Sequence, residues 1–463
     1  MSQLRSIPFV GGAYSDDTKP FSAQDCVNYL PVMAEKAGTR SPAMLRGCPG
    51  HRLFADTGQR SIRGVKEVEG RCFVVSGQKL YELKVNGSLV DRGTIPGTGR
   101  VSMAHNQITG GHELVIAYPG AAYVYNTADD TLAAITDDGF TGFGVVDFCD
   151  GYIVGNDPFG RFWSHSDLAD AKSYSTIDRY EAEAAPDKIT SLIATHREVF
   201  VLGTRTAQFF YNAGNATGTF ENRSGSEMEV GCIAPHTVAR LDNSVIWLGH
   251  DGIVYRLNGY QPVRISTHCI EQAISRCTQE SAWALTYEDR GHKVYYLTFA
   301  DGETWGYDVA TGEWHRRRSE GMTRWRMATL TRFAGKWIAG DAHSGKLYEI
   351  RWDEHSEDGA ELVRERISGV MHAEQNPMRV NVLELVMNPG SPVAVDAEVE
   401  IRYSKDGGRN WSNWYPVPYG KTGDFQQRIR RRQLGQGLRW VFHVRVSDPV
   451  NADILAASAE IEG

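Results

Sequence analysis

The chain has 463 residues, of which 41% are hydrophobic and 23% charged, so it can bury the cores of two or three globular domains and does not have the composition of a disordered protein. Its formal net charge of −8 argues against a protein that coats nucleic acid, because such binding depends on Lys and Arg that displace counterions. Seven scattered cysteines without a CxxC pair predict reduced and mostly buried thiols, and the lack of a long apolar run predicts no membrane-spanning helix.

Residues 1–45 have no strong periodicity and are interrupted by Pro8, Gly11, Gly12, Pro20 and Pro31. Proline and glycine at this density break regular elements. The segment also lacks an apolar core of signal-peptide length, and we expect synthesis in a cytosol. We predict that residues 1–45 form an extended arm that packs on another surface.

An approximate repeat follows the arm. Each unit has a short apolar strand, a turn with Gly or Asp, and a second strand that often contains Tyr or Trp. The units start roughly 38 to 48 residues apart, close to the ~40–50 residues of a β-propeller blade. They occupy residues 71–83, 113–125, 151–164, 198–210, 244–257, 292–307 and 335–350.

The turns inside these units favour the same fold. Asp251-Gly252 and Asp301-Gly302 are hairpin signals, because Asp tolerates and Gly prefers the left-handed backbone region that primed turns require. A propeller also closes its sheets into a ring, which protects their edges. We predict an all-β protein with a β-propeller over residues 46–365, of seven blades or alternatively six. Unrelated β-hairpins in two sandwiches are the other arrangement that the pattern allows.

Helix is predicted at one place only. In residues 269–286, Ile270, Ala273, Ile274 and Cys277 recur at helical spacing. Thr267 precedes them as a candidate N-cap. One inserted amphipathic helix between blades is compatible with a propeller.

The last hundred residues differ from the repeat. A charged stretch at 353–367 indicates a linker or a strand exchange. Beyond it, alternating residues predict strands at 379–387, 396–404, 440–447 and 453–462. We predict a β-sandwich-like domain over residues 366–463.

Residues 404–411 (SKDGGRNW) have the form S-x-D-x-G-x-x-W of an Asp-box. In such a turn Asp406 binds backbone amides, Gly408 takes the unusual dihedral angle and Trp411 packs beneath. In sialidases these boxes recur and are structural. The box occurs once here, so we predict a turn-stabilising role and not a carbohydrate site.

The sequence offers no signature of catalysis. It contains no GxSxG nucleophile elbow, Walker phosphate loop, Rossmann fingerprint or HExxH helix. The histidines are dispersed, and no two carboxylates stand out as a glycosidase pair. We predict no catalytic residue, no cofactor and no metal site, and therefore a protein that is not an enzyme.

Two basic clusters are the candidate contact residues. The first cluster is Arg316, Arg317 and Arg318, which Trp314 precedes and Arg324-Trp325-Arg326 follows. Guanidinium and indole together can stack on bases or sugars. The second cluster is Arg428, Arg430, Arg431 and Arg432. Salt bridges to a partner subunit or a solvated strand face are the favoured interpretation of both, and contact with DNA phosphates is the alternative.

Several segments, taken in order, resemble the packaged-DNA stabilisation proteins of short-tailed bacteriophages, the podoviruses, also described as tail accessory or hub proteins. The similarity covers roughly residues 25–270 and thins beyond them. The segments that carry it are residues 28–32 (NYLPV), 45–50 (LRGCPG), 99–105 (GRVSMAH), 179–189 and 197–210.

This resemblance implies a structural role in assembly, without catalytic residues. Such proteins join the tail after DNA packaging and form a homo-oligomeric ring, with six subunits expected, below the portal and its adaptor ring. A tail needle or plug and tailspikes or fibres attach to that ring, and packaged DNA passes through it without sequence-specific binding. The expected location is the virion tail, after assembly in the bacterial host cytoplasm.

Two other functions compete with this one. A carbohydrate-binding or carbohydrate-active propeller of the sialidase type predicts several Asp-boxes and a cluster of arginines, acid and Tyr on inner strands. A cellular propeller that serves as a protein-interaction platform predicts Trp-Asp at the ends of blades. The sequence has one Asp-box, and Trp-Asp does not recur at the ends of the units, which weighs against both.

Overall fold

The computed structural model describes residues 3–106, 110–182, 187–215, 217–389 and 396–462. Most of them lie in antiparallel strands, as the all-β prediction requires. The strands before the repeat are β1 Gln3–Ser6, β2 Tyr14–Ser15, β3 Ala23–Val27, β4 Tyr29–Met33, β5 Ala43–Gly47 and β6 Gly50–Asp56.

Seven four-stranded antiparallel units, which we call meanders 1 to 7, make up the middle of the chain within the described ranges. Meanders 1 to 6 each use four consecutive strands, and meander 7 uses three consecutive strands and β6. Meander 1 contains β7 Ile62–Val68, β8 Arg71–Ser76, β9 Lys79–Leu83 and β10 Leu89–Thr94, meander 2 contains β11 Ser102–His105, β12 Glu113–Tyr118, β13 Ala121–Asn126 and β14 Thr131–Ala134, and meander 3 contains β15 Val146–Cys149, β16 Tyr152–Asn156, β17 Phe162–Asp167 and β18 Asp170–Glu181. Meander 4 contains β19 Ile189–Thr195, β20 Glu198–Gly203, β21 Ala207–Asn212 and β22 Phe220–Asn222, and meander 5 contains β23 Ala239–Leu241, β24 Ser244–Leu248, β25 Val254–Asn258 and β26 Gln261–Arg264. Meander 6 contains β27 Trp283–Asp289, β28 His292–Thr298, β29 Thr304–Asp308 and β30 Glu313–Arg317, and the three consecutive strands of meander 7 are β31 Met327–Phe333, β32 Lys336–Asp341 and β33 Lys346–Arg351.

The units read from the sequence are the second and third strands of each meander. In meander 1 they are β8 and β9, and in meander 5 they are β24 and β25. The second strands are the most apolar, because both of their faces are covered; all residues of β20 and β24 are buried. The first and fourth strands carry more polar residues, so the repeat did not reveal them.

The two predicted hairpin turns differ in how they use glycine. Gly252 has a φ of +78°, as a primed turn requires, and the carboxylate of Asp251 accepts a hydrogen bond from the amide of Ile253 at 3.2 Å. Gly302 instead allows the side chain of Cys277 to approach the backbone closely, because a Cβ at residue 302 would lie 2.4 Å from Sγ of Cys277. Either position excludes a larger residue.

The meanders are arranged around a common centre through their first strands. β7 contacts β11, β11 contacts β15, and β15 contacts β19. A 3-10 turn at Pro235–Thr237 contacts β19 and β27, and β23 also contacts β27. β27 contacts β31, which contacts β7 again. β6 supplies the fourth strand of meander 7, with Asp56 opposite Lys346 and Gly50 opposite Arg351.

The C-terminal strands form two facing sheets. The strands are β34 Ser356–Glu357, β35 Ala360–Glu361, β36 Arg364–Ile367, β37 Met371–His372, β38 Met378–Met387, β39 Glu398–Ser404, β40 Tyr415–Pro418, β41 Ile429–Gly437, β42 Arg439–Val446 and β43 Ile454–Glu462. One sheet has the order β4-β5-β43-β38-β41, and the other contains β36-β42-β39-β40. Between them Leu383, Ile401 and Phe442 are fully buried, which places the core of a sandwich there.

The N-terminal segment contains the strands β1 to β5, which pack on the C-terminal sheets of the same chain. β1 pairs with β43, and the β4–β5 hairpin joins β43 through the pair Leu45 and Ile454. β3 pairs with β36 on one side and β30 on the other. Cys26, Tyr29 and Leu45 are fully buried, so apolar residues between the prolines anchor the segment.

The helix is shorter than predicted, which corrects the range 269–286. The α-helix α1 covers His268–Ile274, a 3-10 turn follows at Gln279–Ser281, and strand β27 begins at Trp283. Thr267 occupies the N-cap position, but its side chain makes no capping hydrogen bond. Tertiary pairing with β28 overrides the helical spacing of the last third of the range.

Candidate functional site

The first basic cluster lies where meander 6, the N-terminal segment and the C-terminal sheets meet. We call this region the seam. Arg316 binds the carboxylate of Asp25 at 2.7 Å and also that of Glu303. The guanidinium of Arg318 binds Glu365 at 3.1 Å. These two arginines therefore join strands that are far apart in the chain.

Arg317 points into the interior of the seam. It is 2% exposed, donates a hydrogen bond to the carbonyl of Pro49 at 2.6 Å, and lies over the ring of Trp325 at 5.0 Å. Arg317 is therefore enclosed by groups of its own chain in this structure. That it is an interface or DNA contact stays a prediction.

Two further buried arginines, which the sequence analysis missed, complete the seam. Arg366 is fully buried. It donates hydrogen bonds to the carbonyls of Phe9, Gly12 and Asp25 at 2.7, 2.8 and 3.1 Å, and to the side chain of Gln24 at 3.0 Å. Arg364 is 1% exposed. Both lie in a charged stretch read as a linker, and nothing local distinguishes a buried arginine from a solvated one.

An asparagine completes these contacts from the N-terminal side. Nδ2 of Asn28 donates to the carbonyls of Arg318 and Val363 at 2.8 and 2.7 Å, and Oδ1 accepts from the amide of Arg318 at 3.0 Å. Asn28 has a φ of +57°, which Asn tolerates better than most residues. This residue begins the NYLPV segment, and its role in the seam is structural.

A second buried group of charges lies beside Arg317. His51 and Glu357 are almost fully buried, with 3.9 Å between Nδ1 and the nearer carboxylate oxygen. Burial, with Arg317 and Arg326 nearby, lowers the pKa of His51 to about 3. Burial raises the pKa of Glu357, and Arg317 opposes that rise. His51 is therefore neutral at physiological pH, and Arg317 is a counter-charge for Glu357.

The second basic cluster lies on and beside β41, at the surface of the sandwich. Arg428 and Arg430 share the carboxylate of Glu384 at 2.7 and 2.9 Å. Arg431 lies over the ring of Tyr415 at 3.8 Å. Arg428 and Arg432 are exposed, so this cluster keeps the prediction of an interface or a DNA contact open.

The Asp-box has the geometry of a closed turn. The carboxylate of Asp406 accepts hydrogen bonds from the amides of Arg409 and Asn410 at 3.1 and 2.9 Å and from the Asn410 side chain. Desolvation acts to raise the pKa of Asp406, but these hydrogen bonds and one from Ser404 hold it at about 2. Gly408 has a φ of +94°, so the box stabilises the turn as predicted.

A stack of cations and aromatic rings next to the box was not predicted. Arg402 lies 4.9 Å from the ring centre of Trp411 and 4.4 Å from that of Trp414. Arg445 lies 4.4 Å from the same Trp414 ring. Alternation along the paired strands β39 and β42 places Arg402 and Arg445 on one face of the sheet, and the two tryptophans lie between β39 and β40. The pairing of β39 with β42 is not evident from the local sequence. The tryptophan faces are thus in contact with guanidinium groups of the same chain.

The remaining chemistry of the described residues is sparse. They contain no group of three or more His, Cys, Asp or Glu side chains that is arranged to hold a metal ion. None of their helices has the length and apolar character needed to cross a membrane. All seven cysteines are free thiols, and six of them are buried. Residues 183–186, part of the segment 179–189, lie outside the described residues.

Meanders around a common centre, a sandwich, and basic side chains bound within the seam define an all-β structural protein. A family model described as bacteriophage P22 Gp10, beta-propeller, matches residues 5–354. A second model, described as bacteriophage P22 Gp10, beta-sandwich, matches residues 363–462. The chain therefore belongs to the bacteriophage P22 Gp10 family, which confirms the predicted propeller, sandwich and resemblance. Its role is structural, in stabilising packaged DNA, and it is a component of the virion tail.

Other comparisons add little. The curated proteins give no significant match. Among solved structures, the chain is similar to the crystal structure of the computationally designed Ika8 protein, with 14% identity and a TM-score of 0.40, over 65% of this chain and 99% of that one. It is also similar to the structure of U3-55K, with 11% identity and a TM-score of 0.39 over the same shares. Likeness at this level carries no argument about function.

Proposed function

We propose that this protein is a tail hub or nozzle subunit that extends and closes the DNA exit channel below the portal-adaptor ring. It helps to retain packaged DNA until ejection. It acts as a homo-oligomeric ring of six subunits, assembled in the host cytoplasm, to which a needle or plug and tailspikes or fibres attach. Its side chains hold parts together and catalyse no reaction.

The observation that carries this proposal is a continuous hydrogen-bonded sheet across the seam. It runs from meander 6 through β30, β3, β36 and β42 to β39 and β40. In addition, one continuous hydrophobic core extends from meander 5 into the sandwich. A connection by strands, with buried arginines on it, resists relative motion of two domains far better than a flexible linker does. Rigidity of this kind suits a part that withstands the pressure of packaged DNA.

The charge of the chain supports passage of DNA without retention by affinity. A net charge of −8 repels the phosphate backbone at long range. The arginines of the first cluster bind internal carboxylates and carbonyls, so they release no counterions from DNA. Closure of the channel is then a mechanical effect of the assembled ring.

We also propose the domain limits that this function uses. The seven meanders act as seven blades over residues 46–365, with β6 as the strand that closes the ring, and residues 366–463 form the sandwich. Residues 1–45 act as a strap that fastens the sandwich to the propeller. The pairing of β3 with both β30 and β36 supports this division.

Particles assembled without the protein test the proposal. We expect them to package DNA and then lose it, measured as DNA that becomes sensitive to nuclease over hours at 37 °C. Wild-type protein added in trans restores retention. Particles that stay full and infectious without the protein would falsify the stabilising role.

Two matched arginine variants test whether DNA retention depends on the rigidity of the seam or only on the presence of the protein in the particle. Arg366→Met weakens the seam, whereas Arg432→Met alters an exposed side chain of the sandwich. At equal incorporation into particles, we expect faster DNA loss with Arg366→Met and unchanged retention with Arg432→Met. Equal leakage from both would show that rigidity of the seam is irrelevant to retention.

A further inference from the structure

A small cavity of about 80 Å³ lies at the seam. Its walls come from β5, the turn between β27 and β28, the segment between β33 and β34, strand β36 and the segment before β43. The ionisable side chains that line it are Arg46, Arg290, His355, Arg364 and Asp453. Burial and the charge of Arg364 lower the pKa of His355, so that residue is neutral at pH 7. Three arginines against one aspartate leave an excess of positive charge.

Arg364 is the most enclosed of these side chains, with 1% of its surface exposed. Its Nε and Nη1 have no hydrogen-bond partner, and its guanidinium forms no ion pair, among the described residues. A Cβ at residue 47 would lie 2.9 Å from Nε of Arg364, so Gly47 lets the guanidinium lie against the backbone of β5. Burial lowers the pKa of Arg364, but a guanidinium stays charged at neutral pH. Arg364 is therefore a buried cation with unsatisfied donors.

The carboxylate of Asp453 offsets only part of this charge. It accepts a hydrogen bond from the amide of Gly47 at 2.9 Å, and it forms no ion pair with the arginines that line the cavity. Its charge favours the charged form of Arg364, whereas the charge of Arg317 acts in the opposite direction. The carboxylate thus leaves the N–H groups of Arg364 without an acceptor.

The other two arginines lie towards solvent, since Arg290 is exposed and Arg46 is partly buried. Their guanidinium groups lie 5.0 and 6.0 Å from the ring centre of Trp352, which also lines the cavity. No more than the sum of these distances therefore separates the two groups. Neither forms an ion pair with a described residue, so both leave their charge available at the open side of the cavity.

We propose that this cavity binds one small monovalent anion, such as chloride or nitrate, on the guanidinium of Arg364. A buried cation with unsatisfied donors is costly, and an anion that accepts its N–H groups offsets that cost. The volume is about that of two or three water molecules at roughly 30 Å³ each, which admits such an ion and excludes a larger one such as gluconate. Because the walls come from the N-terminal segment, meander 6 and the sandwich, the anion joins these three parts.

Thermal unfolding of the full chain at pH 7 and constant ionic strength tests this site. Sodium gluconate is replaced stepwise by sodium chloride and, in a second series, by sodium nitrate. We expect the thermal midpoint to rise and to follow the saturation curve of one site, because the anion binds the folded chain. Arg290→Met, at an exposed side chain, should weaken anion binding severalfold and still fold. The control is Arg205→Met, at an exposed arginine between β20 and β21, which should respond as the wild type does.

Arg364→Met removes the main donor and should abolish the saturable response to both anions. If that variant does not fold, Arg364→Lys keeps a cation and should bind at least tenfold more weakly, because it lacks the planar fork of donors. The proposal is overturned if the wild type shows no saturable response, which would mean that water alone fills the cavity. It is also overturned if Arg290→Met and Arg205→Met respond equally, because general salt effects act on both.

Discussion

The two arginine-rich regions of this protein have similar sequences and opposite environments. Arg316–Arg318 and the nearby Arg364 and Arg366 lie inside the seam, where backbone carbonyls and carboxylates from distant strands surround them. Arg428–Arg432 lie at the surface of the sandwich, where Glu384 is shared by two of them and water reaches the rest. The two regions show that the partner strand, and not the local sequence, decides what an arginine does.

The difference follows from which face of the sheet each arginine occupies. Strand β36 lies between β3 and β42, so an inward-pointing Arg366 meets the carbonyls of the N-terminal segment. Strand β41 pairs with β38 on one side, and its polar residues face solvent. The arginines of the first region are bound by groups of the fold itself, whereas the arginines of the second region remain accessible to other molecules.

Removal of the most enclosed arginine should have the largest effect. Arg366→Met leaves four acceptors without a donor in the interior, so we expect a loss of about 3 kcal/mol or more in the free energy of unfolding. The shift of the urea midpoint, followed by tryptophan fluorescence, measures it. A variant as stable as the wild type would show that water replaces the guanidinium and that the seam tolerates its loss.

The matched substitution Arg432→Met should change that free energy by less than about 0.5 kcal/mol, because the side chain is exposed and has no partner among the described residues. If Arg366→Met proves insoluble, Arg366→Lys keeps the charge and still loses the planar fork that reaches several carbonyls. An intermediate midpoint for Arg366→Lys preserves the comparison between the two regions.

These two regions also show which features of the structure can be predicted from the sequence alone. The hairpins of the meanders and the strands of the sandwich were predictable, because their alternation and turn residues are local. The Asp-box was predictable for the same reason. In contrast, β6 pairs with β33 across about 300 residues, and β3 pairs with β36 across about 340 residues. Pairing at that distance leaves no local pattern, so the buried arginines that depend on it were not identified.

Asp406, whose carboxylate binds backbone amides, is intermediate between the enclosed arginines of the seam and the exposed arginines of the sandwich. Its substitution should therefore have an intermediate effect on stability. Asp406→Asn keeps the size of the side chain but removes the charge that accepts the amides of the Asp-box. We expect a loss of about 2 kcal/mol at pH 7, as for hydrogen bonds to a charged group. Thermal or urea unfolding of the full chain measures the loss.

The pH dependence of this variant gives an independent check. The folded pKa of Asp406, about 2, lies below the ~3.9 of an unfolded aspartate. Its contribution is therefore complete above about pH 4 and disappears as the pH falls towards 2. The difference between wild type and Asp406→Asn should shrink over that interval, whereas Asp138→Asn, at an exposed turn, should match the wild type throughout. A difference that is constant from pH 5 to pH 2.5 would contradict the assignment.

The smallest effect is expected at the surface cluster. Glu384→Gln removes the carboxylate that Arg428 and Arg430 share, and we expect a loss of about 1 kcal/mol or less, since exposed ion pairs contribute little. Glu398→Gln, at an exposed residue of β39 without a side-chain partner among the described residues, is the control. Salt should reduce the effect of Glu384→Gln, because the screening length falls from about 10 Å at 0.1 M to about 3 Å at 1 M. The loss from Arg366→Met should persist in 1 M NaCl, because buried contacts are screened far less. If high salt instead reduces both losses equally, the seam is open to solvent and the two regions differ only in degree.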